Sequence, residues 1–304
     1  MPQRKAAQSS RSAAAPDVQA AAAPRAIPLT RVGVRGVRKP VTIHRPGHKP
    51  TGVVAAFDLF VDLPKTQKGT HMSRNLEALA DILDEEVSTE APSLENLCRR
   101  LAVRLLEKHD YANHAHVQAE ADYFLRRKNP GGKATIEAYR LLAEAEAFRA
   151  KAKGAKPTTQ RRVGVKVTGM TACPCAMETA RHAIGQDVPK DLPFITHNQR
   201  NIVTLVVDLP GEVDVEAAEL VDAAEAALSS PTYELLKRGD EGDLVIQAHR
   251  NPRFVEDVVR EALHILKERF ARLGDLGVFA SSEAEESIHK HNAYAERRTT
   301  LGAL

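Results

Sequence analysis

The chain has 304 residues, 43% hydrophobic and 27% charged, with a formal net charge of +3 when its twelve histidines are neutral. That length carries two core-bearing modules, and no run of about 18 apolar residues is present to span a bilayer. The charge is too small, and too evenly spread, for a nucleic-acid surface, while 4% aromatics and no Trp exclude a stacking platform for single strands.

Residues 1–26 carry charge and alanine but no Leu/Ile/Val/Phe-rich core, so they are no secretory signal. A transit peptide or a disordered tail fits them, and the composition favours the tail. Three cysteines make no disulfide framework; free thiols and a cytoplasmic location follow.

Order is expected from about Ile27. In "VVAAFDLFVDLP" (53–64), Phe57, Leu59, Val61 and Leu63 alternate with Asp58 and Asp62, which predicts a strand. After the loop "KTQKGTHM", Ser73 is a candidate cap for a helix with Leu76, Leu79, Ala80 and Leu83 on one face. "EVSTEAPS" breaks it. Ser93 then caps a second helix that aligns Leu94, Leu97, Cys98, Leu101 and Leu105. Residues 115–125 read as a strand and "NPGGK" (129–133) as a turn. Residues 134–153 stay open: Ala and Glu favour helix, whereas the preceding turn suits a hairpin. The second half repeats the order, with strands at 163–167 and 202–209, a helix around 213–228, a further helix opened by Asn251 and Pro252, and a returning strand at "GVFASS".

Chemistry concentrates in "MTACPCAMETARH" (170–182). Cys173-Pro174-Cys175 is not the C-x-x-C of a redox dithiol, and no second knuckle supports structural zinc. Cys98 falls on an apolar helix face, as a core thiol does. Cys173 with a nearby histidine suits a mononuclear metal with an open position; buried or incidental thiols are the other reading. His197, in "THNQR", is a ligand or a solvated loop residue. In "ESIHKHNAYAERR", Glu286 and His289 share a face if helical, His289 and His291 if extended, and a polar tail is the alternative. Lys65, Lys68 and Arg74 around Gly69 suit phosphate, as does the basic turn "LLKRGDE" (235–241), although neither is a Walker loop and both also read as solvated loops.

In sequence order, "KGTHMSR", "CPCA", "HNQR", "YELLKRGDE", "NPRFVEDVVR" and "ESIHKHNAYA" resemble the type IB GTP cyclohydrolases and their archaeal relatives that open the methanopterin pathway. The resemblance covers about residues 27 to 295. It implies an α+β tunnelling fold (T-fold) of two βααβ-based modules with antiparallel sheets, here 27–160 and 161–304 after a disordered tail, 1–26. It also implies a cytoplasmic homotetramer with active sites between subunits, and a divalent metal, Zn, Fe(II) or Mn. No nucleic acid or membrane partner is implied.

Carried over by motif, Cys173, His197 and His289 hold the metal, with Glu241 as a further ligand. Cys173 and Glu286 are catalytic positions, Glu286 being able to accept from guanine N–H groups. Relatives often carry Glu-Arg where this chain has Ile246-Gln247, so Gln247 is the alternative to Glu241. His71 is a candidate for proton transfer, and Lys68, Arg74, Arg200, Lys237 and Arg238 for the triphosphate. The implied reaction converts GTP to formate and 7,8-dihydroneopterin triphosphate, the first step of tetrahydrofolate biosynthesis. The alternatives are 7,8-dihydroneopterin 2′,3′-cyclic phosphate for methanopterin, or another metal-dependent attack on a heterocycle. The 24 residues from Cys173 to His197 exceed the usual bacterial spacing and resemble the archaeal branch.

Overall fold

The computed structural model describes residues 17–43, 50–86, 91–152, 154–184, 189 and 192–304. The strands are β1 (Leu29–Ile43), β2 (Thr51–Leu63), β3 (His114–Lys128), β4 (Ala134–Phe148), β5 (Thr158–Ala172), β6 (Asn198–Asp208), the short β7 (Ser230–Pro231), β8 (Gly277–Glu285) and β9 (Ala293–Thr300). Helices α1 (Met72–Glu86) and α2 (Leu94–Lys108) lie between β2 and β3. Helix α3 (Pro174–Ile184) follows β5, and α4 (Ala217–Ala227), α5 (Arg238–Arg250) and α6 (Val255–Phe270) lie between β6 and β8. The strands form one antiparallel sheet in the order β1-β2-β3-β4-β5-β6-β8-β9, with β7 paired to β5.

Alternation decides which side of this sheet is dry. Phe57, Ala119, Ala143, Val163, Val207 and Val278 stand opposite one another across six strands, and all are buried. Leu97, Leu101 and Leu105 of α2, Val221 and Ala224 of α4, and Val259, Ala262 and Leu266 of α6 cover that face in one continuous core. The neighbouring row Asp58, Gln118, Glu144, Arg162 and Asp208 faces the other way and is polar. β5 can carry both β6 and β7 because Gly169 lacks a side chain: a Cβ there would lie 2.3 Å from Leu228 Cδ1.

Several expectations from the sequence are confirmed. Phe57, Leu59, Val61 and Leu63 point inward together. Ser93 caps α2, its Oγ accepting from Asn96 N at 3.3 Å. Cys98 is fully buried, and burial pushes its thiol well above the ordinary value. Cys98→Ser should lower stability by about 1–3 kcal/mol, because a hydroxyl there gains no partner; denaturant unfolding measures it.

Other expectations are corrected. α1 starts at Met72, so Ser73 lies inside its first turn and does not cap it. Its inward face is Asn75, Ala78, Leu79 and Ile82, while Leu76 and Ala80 are exposed. Of the open segment 134–153, Ala134–Phe148 form strand β4. Asn129 N donates to Lys133 O at 3.0 Å, and Gly132 takes φ +78°, which closes a hairpin whose register runs from Lys128↔Ala134 to His114↔Phe148. That pairing overrides the helix propensity of Ala and Glu. Asn251 and Pro252 form the turn before α6, which begins at Val255. The basic turn 235–241 runs into α5. Of the tail, residues 1–16 lie outside the described residues, but residues 17–21 are docked: Gln19 O accepts from Gly69 N at 3.1 Å and Ala21 O from Lys68 N at 2.8 Å. Among the described residues, no helix is long and apolar enough to cross a membrane.

Candidate active site

Cys173 sits where β5 gives way to α3, and Pro174 takes the first helical position, where a missing N–H costs nothing. The backbone of Cys173 is held on both sides. Its N donates to His197 O at 3.1 Å, and its O accepts from Thr196 Oγ1 at 2.7 Å. Its Sγ accepts from Ala176 N at 3.5 Å. Cys175, two residues on, is exposed. Arg253 N donates to Ala172 O at 3.0 Å, which draws the "NPRF" turn against the same strand end. A cavity of about 220 Å³ opens there, lined by Cys173, Gln199, Glu286, Arg253, Phe254 and Tyr294 among others.

His197 stands beside this cavity in a defined tautomer. Gln199 donates its amide to Thr171 Oγ1 at 3.2 Å, so its Oε1 is the atom that faces His197 Nδ1 at 3.0 Å. Nδ1 therefore carries the hydrogen, and Nε2 keeps a lone pair. Asn201 and Ser282 extend the chain of bonds into the core: Ser282 Oγ donates to Asn201 Oδ1 at 2.8 Å, and Asn201 donates to Thr171 Oγ1 at 3.5 Å. Glu286 Oε2 approaches the Nδ1 side of the ring, at 3.7 Å. A thiol sulfur and an imidazole with a free Nε2 are a donor set that fits a divalent transition metal.

Cys173 and Glu286 thus line one cavity, and His197 is tied to both, its backbone O accepting from Cys173 N and its ring facing Glu286. His289 does not join them in this chain: it lies on the exposed loop after β8, its ring stacked on His291 with centroids 5.2 Å apart. Glu241 is exposed on the first turn of α5, with Lys237 and Arg238 beside it, and does not line the cavity. Gln247 is exposed further along the same helix, and Arg200 is exposed on β6. Gln199, Thr171, Asn201 and Arg253 were not singled out from sequence. The available signal was the alternation His197, Gln199, Asn201 along one strand face.

His71, Lys68 and Arg74 occupy the opposite end of the sheet. The His71 loop follows the end of β2, level with Ala115, Ala147 and Thr159 on β3, β4 and β5. Along β5, Cys173 lies fourteen residue steps beyond Thr159, on the order of 45 Å. Beneath the loop runs a buried relay. Thr70 Oγ1 and Tyr111 OH lie 2.5 Å apart, His109 Nδ1 meets Tyr111 OH at 2.8 Å, His109 Nε2 meets Asn75 Oδ1 at 2.8 Å, and Asn75 Nδ2 donates to Leu59 O at 3.0 Å.

Burial, reinforced by Arg74 and His71, pushes His109 down from an ordinary pKa of 6.5 to about 4. The folded chain holds this imidazole neutral while the unfolded chain protonates it below 6.5. Stability is therefore present above pH 6.5 and lost as pH falls toward 4, by up to about 3 kcal/mol. Denaturant unfolding at pH 4.5 and 6.5 should show the slope, and His109→Gln should flatten it.

His116, Glu144 and Glu146, on the polar face of the sheet, have ligand atoms within 4.8 Å of one another, a spacing that could hold a metal ion. Their lone pairs are already engaged. Arg162 donates to Glu144 at 2.6 Å and to Glu146 at 2.9 Å, His116 Nε2 donates to Glu144 at 2.8 Å, and Arg31 faces His116 Nδ1 at 3.2 Å. Burial alone would raise the Glu144 carboxyl, but the His116 bond and the Arg162 charge hold it below the ordinary value. A metal there would have to displace a guanidinium, so this group fits an ion-pair lattice better.

An open antiparallel sheet with helices packed on one face defines the structural class. Uricase from Arthrobacter globiformis has a similar fold, with TM-score 0.51 at 10% identity over 90% of this chain and 93% of that one. Uricase from Bacillus fastidious matches likewise, with TM-score 0.51 at 10% identity over 90% and 94%. At that identity the likeness concerns fold alone.

The family is narrower. Residues 15–295 match the type I GTP cyclohydrolase folE2 family, to which the chain belongs. Similar proteins named GTP cyclohydrolase MptA occur in Methanospirillum hungatei, 40% identical over 95% of this chain and 92% of that protein, and in Methanosphaera stadtmanae, 41% identical over 91% and 93%. The chain is an enzyme of the GTP cyclohydrolase class.

Proposed function

We propose that this chain opens the guanine imidazole ring of GTP hydrolytically, releases formate and recloses the product as a dihydropterin. The observation that carries the reading is one cavity lined by Cys173 and Glu286, with His197 bonded through its backbone to Cys173 and facing Glu286, and with Gln199 fixing the imidazole so that Nε2 is free. Cys173 and His197 would hold a divalent ion, Zn, Fe(II) or Mn, with His289 as a further ligand. Bound there, the ion supplies Lewis-acid activation of the water that adds at purine C8. Glu286 accepts hydrogen bonds from the guanine N–H edge, which fits its place on the Nδ1 side of His197. Lys68, Arg74, Arg200, Lys237 and Arg238 remain candidates for the triphosphate, and His71 for proton transfer.

One chain cannot bring His71 and Cys173 to the same substrate. The reading therefore includes a homotetramer of the tunnelling fold, two modules per chain, in which one copy's Cys173 end meets another's His71 end. The uricase likeness and the antiparallel sheet support the fold assignment.

Of the two products drawn from the family resemblance, the relatives named MptA favour the methanopterin branch over folate, as does the long Cys173–His197 spacing. In that branch a hydroxyl of the pterin's own sugar-derived side chain attacks the α-phosphorus and gives up its proton, diphosphate leaves, and a cyclic monophosphate remains. Mass spectrometry after incubation with GTP and Fe(II), Mn(II) or Zn(II) should find formate and diphosphate in equal amounts beside a cyclic dihydroneopterin phosphate. A linear triphosphate without diphosphate would return the chain to the folate branch. No formate from GTP would mean a different heterocycle hydrolase.

A further inference from the structure

We infer that Asp17 is a positioning residue for His71, fixing its tautomer so that Nδ1 is presented as a proton acceptor; this rests on the proposed role of His71 in proton transfer. His71 Nε2 lies 2.9 and 3.0 Å from the two carboxylate oxygens of Asp17. A carboxylate only accepts, so Nε2 carries the hydrogen and the lone pair of neutral His71 sits on Nδ1. That Nδ1 is buried and has no hydrogen-bond partner among the described residues. Buried acceptors are nearly always satisfied, and an exception calls for an occupant, a proton or a substrate group.

The arrangement is built by several contacts. Ala20 N donates to Asp17 Oδ1 at 3.0 Å. Gly69 N donates to Gln19 O and Lys68 N to Ala21 O, so residues 17–21 run alongside the loop that ends in His71. The Ala20 N–H first, and then the His71 bond, hold the Asp17 carboxyl below its ordinary value, so it is charged at neutral pH. The family match begins at residue 15, just ahead of Asp17. The segment that composition marks as a disordered tail, 1–26, therefore includes residues 17–21 that pack against the His71 loop, while residues 1–16 lie outside the described residues.

The test uses the full chain loaded with the metal that supports turnover. Asp17→Asn preserves shape and removes the charge. It should lower kcat at least 10-fold with KM within about twofold, in the range seen when a carboxylate orienting a functional histidine is lost, and with an unchanged thermal midpoint. Asp17→Glu should recover part of the loss. In a His71→Gln background, Asp17→Asn should have no further effect. Independently of activity, peptide mapping after diethyl pyrocarbonate treatment should show His71 protected in the parent chain and modified several-fold faster in Asp17→Ala. Full kcat in Asp17→Asn, an equal further loss in the His71→Gln background, or unchanged modification in Asp17→Ala each overturns the inference. His71→Gln with full formate release sinks the proton-transfer reading itself. An inactive His71→Gln beside a fully active Asp17→Asn sinks the positioning role alone.

Discussion

Cys173→Ser should lose bound metal and reduce formate release by at least about 100-fold, beyond the 10–100-fold that removal of a ligand's hydrogen-bonding partner costs. A serine hydroxyl is a far poorer ligand than a thiolate for a transition metal. The fold should survive, because the contacts that tie Cys173 to His197 and Thr196 are made by its backbone N and O. Cys175→Ser, on the exposed first turn of α3, should stay close to parent activity. Cys98→Ser should lower stability and leave metal content intact. Elemental analysis of protein purified without chelator, with formate release measured on the same samples, reads all three. If Cys98→Ser strips the metal while Cys173→Ser retains it, the site has been placed on the wrong thiol.

Much of the core was legible because burial imposes a period. β2 alternates and α2 repeats its leucines at helical spacing, and each buries the predicted residues. β4 was not legible, because Ala and Glu carry a helical preference and the deciding force is the hairpin with β3. β1 and β9 are the two edge strands of the sheet, β1 meeting a second partner only at the Ile43–Ala91 bridge, so their polar sequences show little alternation. In α1, a hydrophobic count put Leu76 inside, whereas the buried position next to it is Asn75. It is occupied by a polar residue because it closes the relay to His109 and Leu59 O.

The site was legible as motifs and not as geometry. Spacing alone leaves Cys173 open between ligand and incidental thiol, and it is the family resemblance that proposes the ligand. No spacing rule shows that Thr171, Gln199 and Asn201 set the tautomer of His197, since the bonds cross from β5 to β6. Nor does sequence show that His71 and Cys173 stand at opposite ends of one sheet, or that Asp17 reaches back across 54 positions to His71. These follow from strand register, which pairs residues distant along the chain.

The two carboxylates assigned from motifs should separate in one experiment. Glu286 lies 3.7 Å from His197 on its Nδ1 side, while Nε2 is the nitrogen free to ligate. A carboxylate placed there suits the guanine N–H edge better than the ion. Glu286→Gln should therefore keep most of the metal. The amide retains one acceptor, but turns its NH2 toward donors and loses the negative charge. At about 1.5–3 kcal/mol per charged hydrogen bond, kcat/KM should fall roughly 10- to 150-fold. Glu241 is exposed on the first turn of α5, and among the described residues it does not line the cavity with Cys173. If a second copy carries it to the metal, Glu241→Gln should lower occupancy and turnover together; if α5 stays apart, both should remain near the parent. Metal content and kcat/KM measured side by side on the two variants distinguish these cases. Near-normal occupancy and turnover in both variants would remove both carboxylates from the site and turn attention to Gln247.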